Sequence, residues 1–108
     1  MPVANKTTPK KAPRRNLARP TTWQDAIRIH LGKVPEVEAV FVNSDDNVLH
    51  VYSVVRKFDE AYIKRLVKQE SLIEKAFPKL ALEFHIRAHM GREAHEAVPF
   101  DAGLLFQR

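Results

Sequence analysis

Apolar and polar positions follow three rhythms along this chain. Between residues 22 and 31, Trp23, Ala26, Ile27, His30 and Leu31 recur at i, i+3, i+4, i+7 and i+8, one face of a helix. Thr22 stands where an N-cap belongs, Asp25 where a capping-box variant completes it, and Gly32 where a helix stops at C′. After Val34-Pro35 the rhythm changes. VEAVFV (37–42) and VLHVYSVV (48–55) are β-rich runs separated by Asn43-Ser44-Asp45-Asp46-Asn47, residues that favour turns, so a hairpin is predicted. A second helix follows. Asp59 caps it, Phe58 staples to Ile63, and Tyr62, Ile63, Leu66, Val67, Ile73, Ala76 and Phe77 form its buried stripe up to Pro78. Lys64, Arg65, Lys68, Glu70, Glu74 and Lys75 fall mostly off that stripe and read as a solvated face of mixed sign.

Residues 80–90 alternate strictly. Leu80, Leu82, Phe84, Ile86, Ala88 and Met90 are apolar, while Glu83, His85, Arg87 and His89 are polar. That is a strand with one buried and one wet face. His85 and His89 then share a face about 13 Å apart at about 3.3 Å per residue, too far to chelate one ion within one chain. His95, beyond the turn at Gly91, has neither cysteine nor clustered carboxylates beside it, so no metal site is expected. His30 reads as a hydrogen-bonded core histidine.

If Leu49, Val51, Ser53 and Val55 point inward, His50 and Tyr52 join the polar face. The first strand is apolar on both sides, with Val37, Ala39 and Phe41 on one and Val40 and Val42 on the other. Some apolar residues therefore lie on the face away from the helices. They need a cover: the C-terminal PFDAGLLFQR, a second subunit or a partner. Within that segment Leu104-Leu105-Phe106 is a short apolar run, either a fourth strand or a flap. The predicted fold is a small α+β domain of order αββαβ with a possible short C-terminal strand. Its sheet has three or four mostly antiparallel strands, with both helices on one face.

Charge divides the chain further. Residues 1–20 carry Lys6, Lys10, Lys11, Arg14, Arg15 and Arg19, four of the seven prolines and no acid, and read as a disordered basic arm. The remaining 88 residues, a single domain over 21–108, hold 12 Lys/Arg against 13 Asp/Glu. The net charge of +5 thus belongs to the arm. Proline keeps the arm out of an amphipathic helix and argues against a mitochondrial presequence. The absence of cysteine removes disulfides, zinc-thiolate sites and thiol nucleophiles. No apolar run approaches membrane-spanning length and no signal-peptide core follows Met1, so a cytoplasmic protein without membrane contact is expected.

No serine elbow, phosphate-cradling glycine loop or helix-spaced carboxylate pair is present, and neither a catalytic role nor a cofactor is expected. The GXXG loop with which some domains clamp a nucleic-acid backbone is missing too. The expectation is a non-enzymatic interaction module, self-associating as a homodimer or binding a protein partner through His50, Tyr52, His85, Arg87 and His89 on the exposed sheet face. The alternative is nucleic-acid binding, with the six cations of the arm on phosphates and Tyr52, Arg87 and the histidines making closer contacts.

Overall fold

The computed structural model describes residues 22–108. The arm lies outside the described residues, and with it Lys6, Lys10, Lys11, Arg14, Arg15 and Arg19. Helix α1 spans Trp23–Leu31, and the Thr22 side chain accepts the Asp25 amide at 3.1 Å. The Asp25 carboxylate turns outward to Arg28, at 3.4 Å. Gly32 ends the helix with φ −64°, outside the left-handed region expected of a C′ glycine. Its lack of a side chain has a different cause: the Arg28 carbonyl oxygen occupies the space a Cβ would need.

Strands β1 (Val37–Asp45) and β2 (Val48–Val55) form the hairpin, more tightly than the sequence implies. Asp45 pairs with Val48, which leaves a two-residue loop of Asp46 (φ 53°) and Asn47 (φ 65°). Two left-handed residues in succession are the signature of a type I′ turn, whose twist matches that of the strands. Asn43 and Ser44 are consequently strand residues, opposite His50 and Leu49. The register sets Phe41 against Tyr52 and Val40 against Ser53, so Ala39 and Phe41 share the face of Tyr52 and Val54. A register shift between Val37 and Ala39 turns Val37 to the helix side with Val40. Alternation alone had grouped Val37 with Ala39; the bulge separates them.

Helix α2 (Glu60–Ala76) starts at Asp59, whose carboxylate accepts the Ala61 amide at 2.9 Å. Its inward line is Tyr62, Leu66, Glu70 and Ile73. Val67 and Ala76 fall outside that line and are exposed, and Phe58, 59% exposed, does not form the expected staple. Glu70, assigned to the solvated face by its charge, is only 9% exposed. Position along the helix has overridden side-chain polarity.

From α2 the chain enters β3 (Leu82–Ala88), passes through a 3-10 turn (Ala94–Ala97) and ends in β4 (Gly103–Gln107). The strand order is β3-β2-β1-β4. The sheet is mixed: β1 pairs antiparallel with β2 and β4, while β3 lies parallel to β2 because α2 carries the chain back across the sheet. Two of the three strand pairs are antiparallel, in keeping with a mostly antiparallel sheet, and the β2–β3 pair makes it mixed. The fold class and the αββαβ order with a short fourth strand stand as expected.

Two apolar layers flank the sheet. Ile27 and Leu31 of α1 and Leu66 and Ile73 of α2 pack on Val40, Val51 and Val55. On the opposite face Ala39, Phe41, Tyr52 and Val54 are covered by Ala94, Ala97, Val98 and Ala102. Asn43 donates to the Asp101 carboxylate at 3.2 Å and ties this cover to β1. The cover that the apolar second face demanded thus comes from the chain itself. Arg108 locks the other end, with its side chain donating to the carbonyls of Gly32, Val34 and Val37 at 2.6–2.9 Å. Among the described residues no helix is long and apolar enough to cross a membrane.

Candidate functional site

The C-terminal cover lies over β1 and the neighbouring part of β2. The β2–β3 margin carries polar side chains instead. Parallel register sets His50 opposite Glu83, Tyr52 opposite His85 and Val54 opposite Arg87. Alternation along both strands puts all six side chains on the face away from the helices.

Three of them converge. His50 Nδ1 is 3.0 Å from His85 Nε2. One Glu83 carboxylate oxygen lies 3.7 Å from His50 Nδ1 and the other 3.9 Å from His85 Nε2. Donor atoms from His50, Glu83 and His85 all fall within 4.8 Å of one another. The imidazoles are half-buried and held by stacking: the Tyr52 ring lies 4.7 Å from that of His85 with an interplanar angle of 16°. Arg87 continues the stack, its guanidinium carbon 5.4 Å from the Tyr52 centroid. Among the described residues Arg87 forms no ion pair.

Burial lowers the His85 pKa below its ordinary value, and the charges of His50 and Arg87 act in the same direction against the opposing pull of Glu83. The shift favours the neutral His85 ring, the form with a lone pair available. A contact of 3.0 Å between ring nitrogens carries one proton at most, since two N–H groups facing each other repel. The arrangement offers two nitrogen donors and one carboxylate, a set that suits zinc and its neighbours better than magnesium or calcium. Tetrahedral zinc with bonds of about 2.05 Å places its ligand atoms about 3.3 Å apart. The two ring nitrogens, 3.0 Å apart, lie near that value, and each has a different Glu83 oxygen at 3.7 or 3.9 Å; one atom from each of the three residues falls within 4.8 Å of the others.

His89 stands apart from this group. β3 ends at Ala88, and Met90 (φ 55°) and Gly91 (φ 90°) turn the chain. The Gly91 amide donates to His89 Nδ1 at 2.9 Å, which leaves the ring proton on Nε2, donating to Glu38 at 2.8 Å. His89 is thus a buried fastening between the end of β3 and β1. Of the five sheet-face residues expected, the structure brings together His50, Tyr52, His85 and Arg87, and Tyr52 is only 5% exposed beneath its neighbours. His95 is exposed on the 3-10 turn, and His30 pairs with Gln69 of α2 at 3.0 Å.

Glu83 is the residue that strand-by-strand reasoning passed over. Measured along one strand, the histidines are too far apart to share an ion. Across two strands in parallel register, His50 supplies what His89 does not. The signal was present in the hairpin–helix–strand order, which makes β2 and β3 neighbours and aligns their outward residues. A concavity of about 460 Å³ lined by Trp23, Ala76, Phe77, Pro78, Lys79 and Leu80 lies elsewhere and holds no cluster of ligating groups. No family model, curated protein or solved structure matches the chain.

Proposed function

We propose that this domain binds one divalent transition-metal ion of the zinc class, with His50 Nδ1, His85 Nε2 and a Glu83 carboxylate oxygen as its ligands. The convergence of these three donors, from two paired strands, carries the reading. Strand pairing fixes the backbone of all three, and stacking on Tyr52 restrains the His85 ring, so little ordering cost remains for the ion to offset. Three protein ligands leave a tetrahedral ion one open position. The site lies on a surface rather than in a closed cavity, and the reading is of binding without turnover.

Isothermal titration of the full chain with zinc tests this. One ion per chain is expected, with affinity reduced by about 100-fold or more in His50→Ala and in His85→Ala. Unchanged zinc affinity in both variants would exclude the assignment.

A second reading, docking of a protein partner or a second copy, is favoured by one observation: Phe100 is fully exposed on the C-terminal cover, with Leu104 more than half exposed. Light scattering of wild type and Phe100→Ser tests it, and a monomer at high concentration in both speaks against self-association. The nucleic-acid reading has less support, because Tyr52, buried against His85, offers no free ring face to a base.

A further inference from the structure

We infer that the groove around Trp23 takes a segment of this same chain, residues 14–19, with Leu17 in its apolar half and the neighbouring arginines on Asp45 and Asp46. The contact is independent of the metal reading and uses none of its residues.

Two concavities meet at one side chain. The first, of about 460 Å³, is lined by Ala76, Phe77, Pro78 and Lys79 where α2 ends. The second, of about 300 Å³, is lined by Ser44, Asp45, Asp46 and Asn47 at the hairpin turn. Trp23 and Leu80 line both, so the indole is a wall of each. Both volumes fall within the range of roughly 300–1,000 Å³ found for ligand clefts. Trp23 itself is only half-buried. One half of the groove is therefore apolar and the other carries two carboxylates. An occupant that fits both halves joins a bulky apolar side chain to cations. Lys79 lines only the apolar half, which sets those cations at the turn.

The chain carries that chemistry in its own first twenty residues, which hold six Lys/Arg and no acid. Leu17 is their large apolar residue nearest the domain, with Arg14, Arg15 and Arg19 beside it. Only Thr21 and Thr22 separate Pro20 from Trp23, so this segment joins the domain at the groove itself. A tethered segment meets its site at an effective concentration on the order of mM, enough to populate a contact too weak for a free peptide. Arginine suits the turn end in particular. Its guanidinium stacks on an indole face and forks onto a carboxylate, and Trp23 and the two aspartates offer both. Beyond residue 20 the 12 Lys/Arg meet 13 Asp/Glu, so the excess of cations that complements Asp45 and Asp46 belongs to the arm.

The chain has one tryptophan and no cysteine, which makes the contact easy to read. Ala18→Cys in the full-length protein gives a single thiol for a nitroxide label, and NMR then reports which amide signals the label broadens. Expected is broadening at Asn47, Phe77 and Leu80, all remote from position 18 in sequence. It should weaken about 3-fold or more when Leu17→Asp, or Asp45→Asn with Asp46→Asn, is added. Asparagine tolerates the left-handed backbone of Asp46, so the turn survives the exchange and circular dichroism should not change. Acrylamide should quench Trp23 fluorescence more strongly in the same variants. No broadening at Asn47, Phe77 and Leu80, or equal broadening and quenching with and without the added substitutions, overturns the inference. Broadening that appears only between a labelled chain and a second, isotope-labelled one assigns the groove to another copy's arm and overturns the contact within one chain.

Discussion

Glu70 is a carboxylate in a place built for an apolar side chain. It occupies the inward line of α2 between Leu66 and Ile73, and its Oε2 has no hydrogen-bond partner. Burial, and secondarily the charge of Glu74, pushes its pKa from the ordinary 4.5 up to about 7. The folded state therefore holds this proton more tightly than the unfolded chain does. The associated stability is fully present below pH 4.5 and is lost as pH rises through about 7. At about 1.4 kcal/mol per pH unit, the ionised group costs on the order of 3 kcal/mol at pH 8. Glu70→Gln keeps the shape and removes the charge. Urea unfolding should find the variant within about 0.5 kcal/mol of wild type at pH 4.5 and about 2–3 kcal/mol more stable at pH 8. A variant less stable than wild type at pH 8 would refute the reasoning, since it would mean that the ionised carboxylate has a partner.

Phe41→Asp places a charge beneath Ala94, Ala97 and Val98, and should lower stability by about 4 kcal/mol or more. Circular dichroism then shows loss of folded protein in place of a change in oligomeric mass. Arg108→Ala releases the carbonyls of Gly32, Val34 and Val37 and should cost about 1–3 kcal/mol in urea unfolding. His89→Ala removes the fastening to Glu38 and Gly91, and should lower stability by about 1–3 kcal/mol with zinc affinity unchanged. Loss of zinc affinity in that variant would move the ion to a different site.

Elements with a strong period were legible in the sequence. Both helices, their caps at Thr22 and Asp59, both hairpin strands and the strand through His85 lie where alternation and capping chemistry put them. Interactions between elements were less so. The tight turn at Asp46-Asn47 set which face of β1 joined Tyr52, and the bulge before Ala39 set the side of Val37. Neither follows from periodicity within a strand. Glu70 was misplaced because polarity was weighed over helical position. The meeting of His50 with Glu83 and His85 depends on the parallel register of β2 and β3, fixed only when α2 docks and the two strands pair. His89 left the group because the backbone turns left-handed immediately after it.

The location of the ion can be read directly. Crystals of the full chain grown with zinc should give one anomalous-scattering peak at the zinc absorption edge, about 2.0–2.2 Å from His50 Nδ1, His85 Nε2 and a Glu83 oxygen. A map with no such peak, or with its zinc at His30, His89 or His95 and the β2–β3 margin bare, would contradict the assignment.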